Sequence, residues 1–134
     1  MTRGEETEIE RVWRRQQLSV AECCPKLFHD IQTAIDEGRG IVMVMNLIDA
    51  ALERTPTSAT ILSAATMAFD QMRARVTAEE RAEFLALVSG VNRGALSAVD
   101  VKKKAFELAV KHNAGSLLEA TYFDDVRRLV EGSV

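Results

Sequence analysis

"VWRRQQLSVAECCPKLFHDI", residues 12–31, holds the only tryptophan of the chain, both cysteines and one of the two histidines. Either these letters build a metal or thiol centre, or they are the apolar face of a helix. Their spacing decides between the two. Ile9, Val12, Trp13, Gln16, Val20 and Cys23 or Cys24 recur every three or four residues, which is one stripe of an α-helix. Pro25 then opens a second helix, at the first position, where a missing N–H costs nothing.

In a helix the side chains of adjacent residues diverge by roughly 100°. Cys23 and Cys24 therefore cannot share the tetrahedron of one metal, and His29 and His112 show no zinc-finger spacing with them. Packing is the expected role of both thiols. Cys24, just before a helix N-terminus, is the better candidate for a reactive thiol, because the helix dipole lowers a thiol pKa there. His29, among apolar neighbours, is expected to be partly buried and hydrogen-bonded. No catalytic residue, metal ligand or cofactor site is assigned.

The same period runs on in both directions. Phe28, Ile31 and Ile35 carry the second helix to a left-handed stop at Gly38 or Gly40. "IVMVMNLIDAAL", residues 41–52, is apolar nearly all round at its start and reads as a buried central helix. Ile61, Ala65, Phe69, Met72 and Val76 form a fourth stripe, and Phe84, Leu85, Leu87, Val88 and Val91 belong to a fifth helix. Thr77-x-x-Glu80 reads as a capping box, Ser97-x-x-Asp100 as a weaker one, and Ser116-x-x-Glu119 as a third that opens a seventh helix. The result is an all-α, compact single-domain bundle of six or seven short helices over residues 9–131, preceded by a flexible acidic tail over 1–8.

The totals agree with this. A chain of 134 residues, 47% hydrophobic and 28% charged, has the balance of one soluble globular domain. No apolar run approaches the ~20 residues of a membrane span, and the acidic start MTRGEETEIE is no signal peptide. The expectation is a cytoplasmic protein with no membrane partner. The net charge of −3 is that of the first ten residues alone, so the body is neutral. A strong overall field for nucleic acid is absent, but local basic corners exist. Arg14, Arg15 and Lys26 form one. Arg93, Lys102, Lys103, Lys104 and Lys111, with His112 at a helix C-terminus, form the most basic third. The three successive lysines fan around a helix, a solvated face in their simplest reading. Tyr122 and Trp13 are the aromatic residues available for stacking on a base.

The segment "WRRQQLSVAECCPKLFHDIQ" resembles the opening signature of the bacterial YbgA-like helical domain family. "RVTAEERAEFLALVSGVNRGALSAVDVKKKAFELAVKH" and "GSLLEATYFDD" are similar to its middle and closing segments, so the likeness runs over residues 12–125. Arg15, Pro25, the Arg93–Gly94 pair, the Lys111–His112 pair and the Thr121–Tyr122 pair fall on signature positions. Gln16, Gln17, Cys23 and Cys24 depart from it. Such domains stand alone or are fused to thiouracil desulfidase domains. The resemblance implies a non-enzymatic accessory module that binds RNA, tRNA in particular, or docks on a nucleic-acid-modifying enzyme. Two other expectations come from the residues themselves. One is a protein-interaction or homodimerisation module, suggested by the apolar third helix and the five methionines. The other is a thiol redox sensor at Cys24.

Overall fold

The computed structural model describes residues 3–131, and among them there is no strand. Eight α-helices follow in order: α1 (Arg3–Cys23), α2 (Pro25–Asp36), α3 (Ile41–Leu52), α4 (Ser58–Asp70), α5 (Ala78–Asn92), α6 (Ala98–Lys111), α7 (Gly115–Glu119) and α8 (Asp124–Glu131). A 3₁₀ turn (Thr121–Phe123) separates the last two. The all-α bundle is as the periodicity predicts. α1 begins at Arg3, so residues 3–8 belong to this helix rather than to a tail, with Glu5 and Glu6 in its first turn, where the dipole favours them. Residues 1 and 2 of the expected tail lie outside the described residues.

Pro25 explains why α1 and α2 are two helices. It occupies the first position of α2, and the preceding Cys24 takes the extended backbone that a residue before proline prefers (φ −155°, ψ 91°). The Cys24 N–H still closes the α1 ladder on the Val20 carbonyl at 2.7 Å, and Pro25, which has no N–H, cannot carry the ladder on to the Ala21 carbonyl. Gly38 ends α2 in the left-handed region (φ 75°), as expected. Thr77 and Ser97 cap α5 and α6: their hydroxyls accept the N–H groups of Glu80 and Val99, and their own N–H groups donate to the carboxylates of Glu80 and Asp100. A further box, Thr57 with Thr60, opens α4.

α1 reaches across two hydrophobic cores. On one side Ile9, Trp13 and Val20 pack with Ile31 of α2 and Val44, Ile48 and Ala51 of α3. On the other, Leu18 and Ala21 join a larger core of α4 to α8. There Ala64, Ala65 and Ala68 of α4 meet Ala105 and Ala109 of α6, and their small side chains let the two helices approach closely.

Two expectations need correction. α3 is a flanking helix, with Val42 70% exposed, while α6 is the central one with seven buried residues. The seventh helix is split, and its Ser116 box does not form: α7 starts after Ala114 with no side-chain cap. Ala120 is extended (ψ 143°), and Tyr122 and Phe123 are both buried after it. Two large rings in succession diverge by roughly 100° on a straight helix, and here the chain breaks and resets at the 3₁₀ turn with both of them buried.

Candidate functional site

Two charged clusters draw together segments far apart in sequence. The first centres on Glu80, which is only 6% exposed at the start of α5. Its Oε1 accepts the Thr77 N–H at 2.9 Å and faces His112 Nε2 at 2.8 Å. The Lys111 ammonium lies 2.8 Å from its Oε2. Lys111 and the Thr77 N–H hold the Glu80 carboxyl down at about 2, well below the ordinary carboxylate range, and Glu80 in turn raises Lys111. Arg75 Nη1 reaches the His112 and Asn113 carbonyls at 3.4 and 3.5 Å, closing the end of α6, where Asn113 turns left-handed (φ 51°).

A carboxylate fixed in its ionised form has no proton to give, and the only polar partner of the His112 ring among the described residues is this carboxylate. The chemistry is that of a latch between α5 and α6. The cavity beside it, about 320 Å³, is lined by Glu79, Glu83 and Glu107 as well as by Lys104 and Lys111. Lys104 is bound to Glu83 at 3.1 Å. Carboxylates outnumber ammoniums here, so the wall disfavours a phosphate.

The second cluster surrounds Lys102. Far from fanning into solvent, Lys102 is 2% exposed. Its Nζ lies 2.9 Å from Glu22 Oε1 and 3.0 Å from Asp125, and 4.2 Å above the centre of the Tyr122 ring. Burial pushes the Glu22 carboxyl upward in spite of the ammonium, and burial likewise pushes up Tyr122 and the Cys23 thiol. Lys102 and Tyr122 are thus packed inside, and neither reaches a ligand as first expected. The three successive lysines do fan around α6, and one of them, Lys102, points into the bundle.

The remaining expected contacts are on the surface. Arg14, Arg15, Lys26 and Arg93 are exposed and Lys103 is half-buried, and none forms an ion pair among the described residues. Arg11, which the sequence reading passed over, joins Arg14 and Arg15 on one face of α1 through its i, i+3 and i, i+4 spacing. Arg11 and Arg15 line a groove of about 380 Å³ together with Glu8, Val12, Gln16 and Met45. The groove is fixed from below by Thr121, whose hydroxyl lies 3.1 Å from the Arg15 carbonyl, 3.0 Å from Gln16 Oε1 and 2.8 Å from Ser19 Oγ.

Trp13 is buried, its indole N–H donating to Gln32 Oε1 at 3.1 Å, so it offers no stacking face. His29 is exposed, not partly buried, and stands edge-on to Phe28. Both thiols are free and half-buried, Cys24 packing against the core of α1, α2 and α3. Among the described residues no group of three or more His, Cys, Asp or Glu is placed to hold a metal ion, and no helix is long and apolar enough to cross a membrane.

No curated protein and no solved structure matches the chain. A family model does match residues 32–125, from the middle of α2 to the start of α8 and so over more than half of the sequence. By that match the chain belongs to the family described as a protein of unknown function, DUF1722.

Proposed function

We propose that the protein is a non-enzymatic accessory module that binds RNA, tRNA being the expected class, for a nucleic-acid-modifying partner. The observation that carries this is the α1 face of Arg11, Arg14 and Arg15, exposed and without ion pairs among the described residues. Guanidinium groups at this spacing suit phosphate oxygens, and the aliphatic floor of Val12 and Met45 beside them suits a sugar or a base edge. The resemblance to YbgA-like domains supports the same reading. Its opening signature, residues 13–32, lies ahead of the family match except for its last residue, and it carries Arg14 and Arg15 of this face.

Binding through three arginines is weak and falls with salt, with a log–log slope of roughly −2 to −3. The test is anisotropy of labelled bulk tRNA titrated with protein over a range of salt. A slope in this range supports the reading. No binding at the lowest salt removes it.

A further inference from the structure

We infer that the groove beside Arg11 and Arg15 takes one unpaired nucleotide of the RNA, and that Gln16 selects a base with a carbonyl at its outer edge, uracil or guanine. The inference rests on the RNA reading and names the part of the RNA that the arginine face holds.

The bonding of Gln16 sets the selection. Its Oε1 faces the Thr121 hydroxyl at 3.0 Å, and that hydroxyl belongs to a joint with Ser19 and the Arg15 carbonyl. The oxygen end of the amide is thereby turned toward the protein. Its Nε2 has no hydrogen-bond partner among the described residues, and Gln16, half-buried, lines the groove. The side chain therefore offers N–H donors to whatever fills the groove, while its acceptor is engaged.

The rest of the groove fits a nucleotide. Arg11 and Arg15 are exposed and one helical turn apart, so each can hold a phosphate flanking the same base. Val12 and Met45, both half-buried, give the ring apolar contacts. Glu8 lines the groove about 12 Å along α1 from Gln16 by helical rise, and its carboxylate keeps phosphate out of that end. With the backbone held at the exposed arginines, the base enters tip first. The edge farthest from the sugar then meets Gln16. O4 of uracil and O6 of guanine accept its N–H, whereas the amino groups of cytosine and adenine set donor against donor. Pairing in a duplex occupies this edge, so the nucleotide comes from a loop or a single strand.

Anisotropy of labelled oligouridylate and oligocytidylate of equal length tests this with wild-type protein, Gln16→Met and Gln16→Glu, each shown to be folded by circular dichroism. Gln16→Glu keeps an oxygen for Thr121 and exchanges the donor for an acceptor. Wild-type protein should bind oligouridylate about three- to tenfold more tightly than oligocytidylate, the worth of one hydrogen bond, with the same salt slope for both. Gln16→Met should erase the preference. Gln16→Glu should invert it, although the added charge lowers both affinities. Equal affinities in the wild type, a wild-type preference for oligocytidylate, or a preference that survives both substitutions overturns the inference and leaves the RNA reading standing. Binding of tRNA with no binding of either oligomer does the same. Absence of all binding at the lowest salt removes the RNA reading, and this inference with it.

Discussion

The ammonium of Lys102 lies 2.9 Å from the carboxylate of Glu22, which precedes it by 80 residues. The pair ties the end of α1 to the middle of α6, with Asp125 of α8 as a third partner. Glu22 is 13% exposed in its side chain and Asp125 64%, so the two carboxylates differ in what they lose when the lysine goes.

Lys102→Met is expected to destabilise the fold by about 3 kcal/mol, since a buried carboxylate left without its partner costs that much. For a chain of this size the midpoint of thermal unfolding should drop by about 10 °C. The double variant Glu22→Leu/Lys102→Met should recover most of the loss, because an apolar pair of similar volume replaces the ion pair. Differential scanning calorimetry reads both. Additive losses in the double variant would show that the two groups are not coupled.

Glu80 predicts an acid-limb effect whose sign follows from its lowered carboxyl. Folding holds it at about 2, below its ordinary 4.5, so the folded state binds its proton less tightly than the unfolded one. Its contribution is complete above the ordinary value and is lost as pH falls toward the folded value. Wild-type protein should therefore lose thermal stability more steeply than Glu80→Gln between these two pH values, the two curves converging at the acid end. Parallel curves would show that the latch carries no electrostatic coupling.

Thr77→Ala removes the hydroxyl that accepts the Glu80 N–H at 3.0 Å. Loss of such a cap costs about 1 kcal/mol, to be read as a shift of the urea midpoint with unchanged slope. A change in slope instead would mean that α5 frays before the rest of the bundle.

Thr121→Val tests the joint between the 3₁₀ turn and α1. One hydroxyl there serves Ser19 and either Gln16 or the Arg15 carbonyl. The expected cost is about 1 kcal/mol. If the joint holds the arginine face in place, tRNA affinity should fall in the same variant while the protein stays folded. An unchanged affinity would separate the two.

Charge reversal separates the arginine face from the lysines of α6. Arg14→Glu/Arg15→Glu should weaken tRNA binding by about tenfold or more at low salt and flatten its salt dependence. Lys104→Gln, whose ammonium already belongs to Glu83 and Glu107, should change little. The reverse order of effects would move the interface to α6.

What the sequence determined by itself is the class of fold and most helix ends. Apolar spacing, Pro25, Gly38 and the boxes at Thr77 and Ser97 act through groups three or four residues apart, and such local bonds are written in the order of letters. Tertiary structure alone decided the rest. Nothing local distinguishes Lys102 from Lys103; only Glu22 and Asp125, brought in from both ends of the chain, make one of them a buried charge. Likewise α3 is more apolar than α6 in sequence and yet less enclosed, because enclosure depends on how many neighbours a helix acquires. The seventh helix breaks at Ala120 for the same reason: two adjacent aromatic rings gain more by both entering a core that α1, α4 and α6 have built than the helix gains by staying straight.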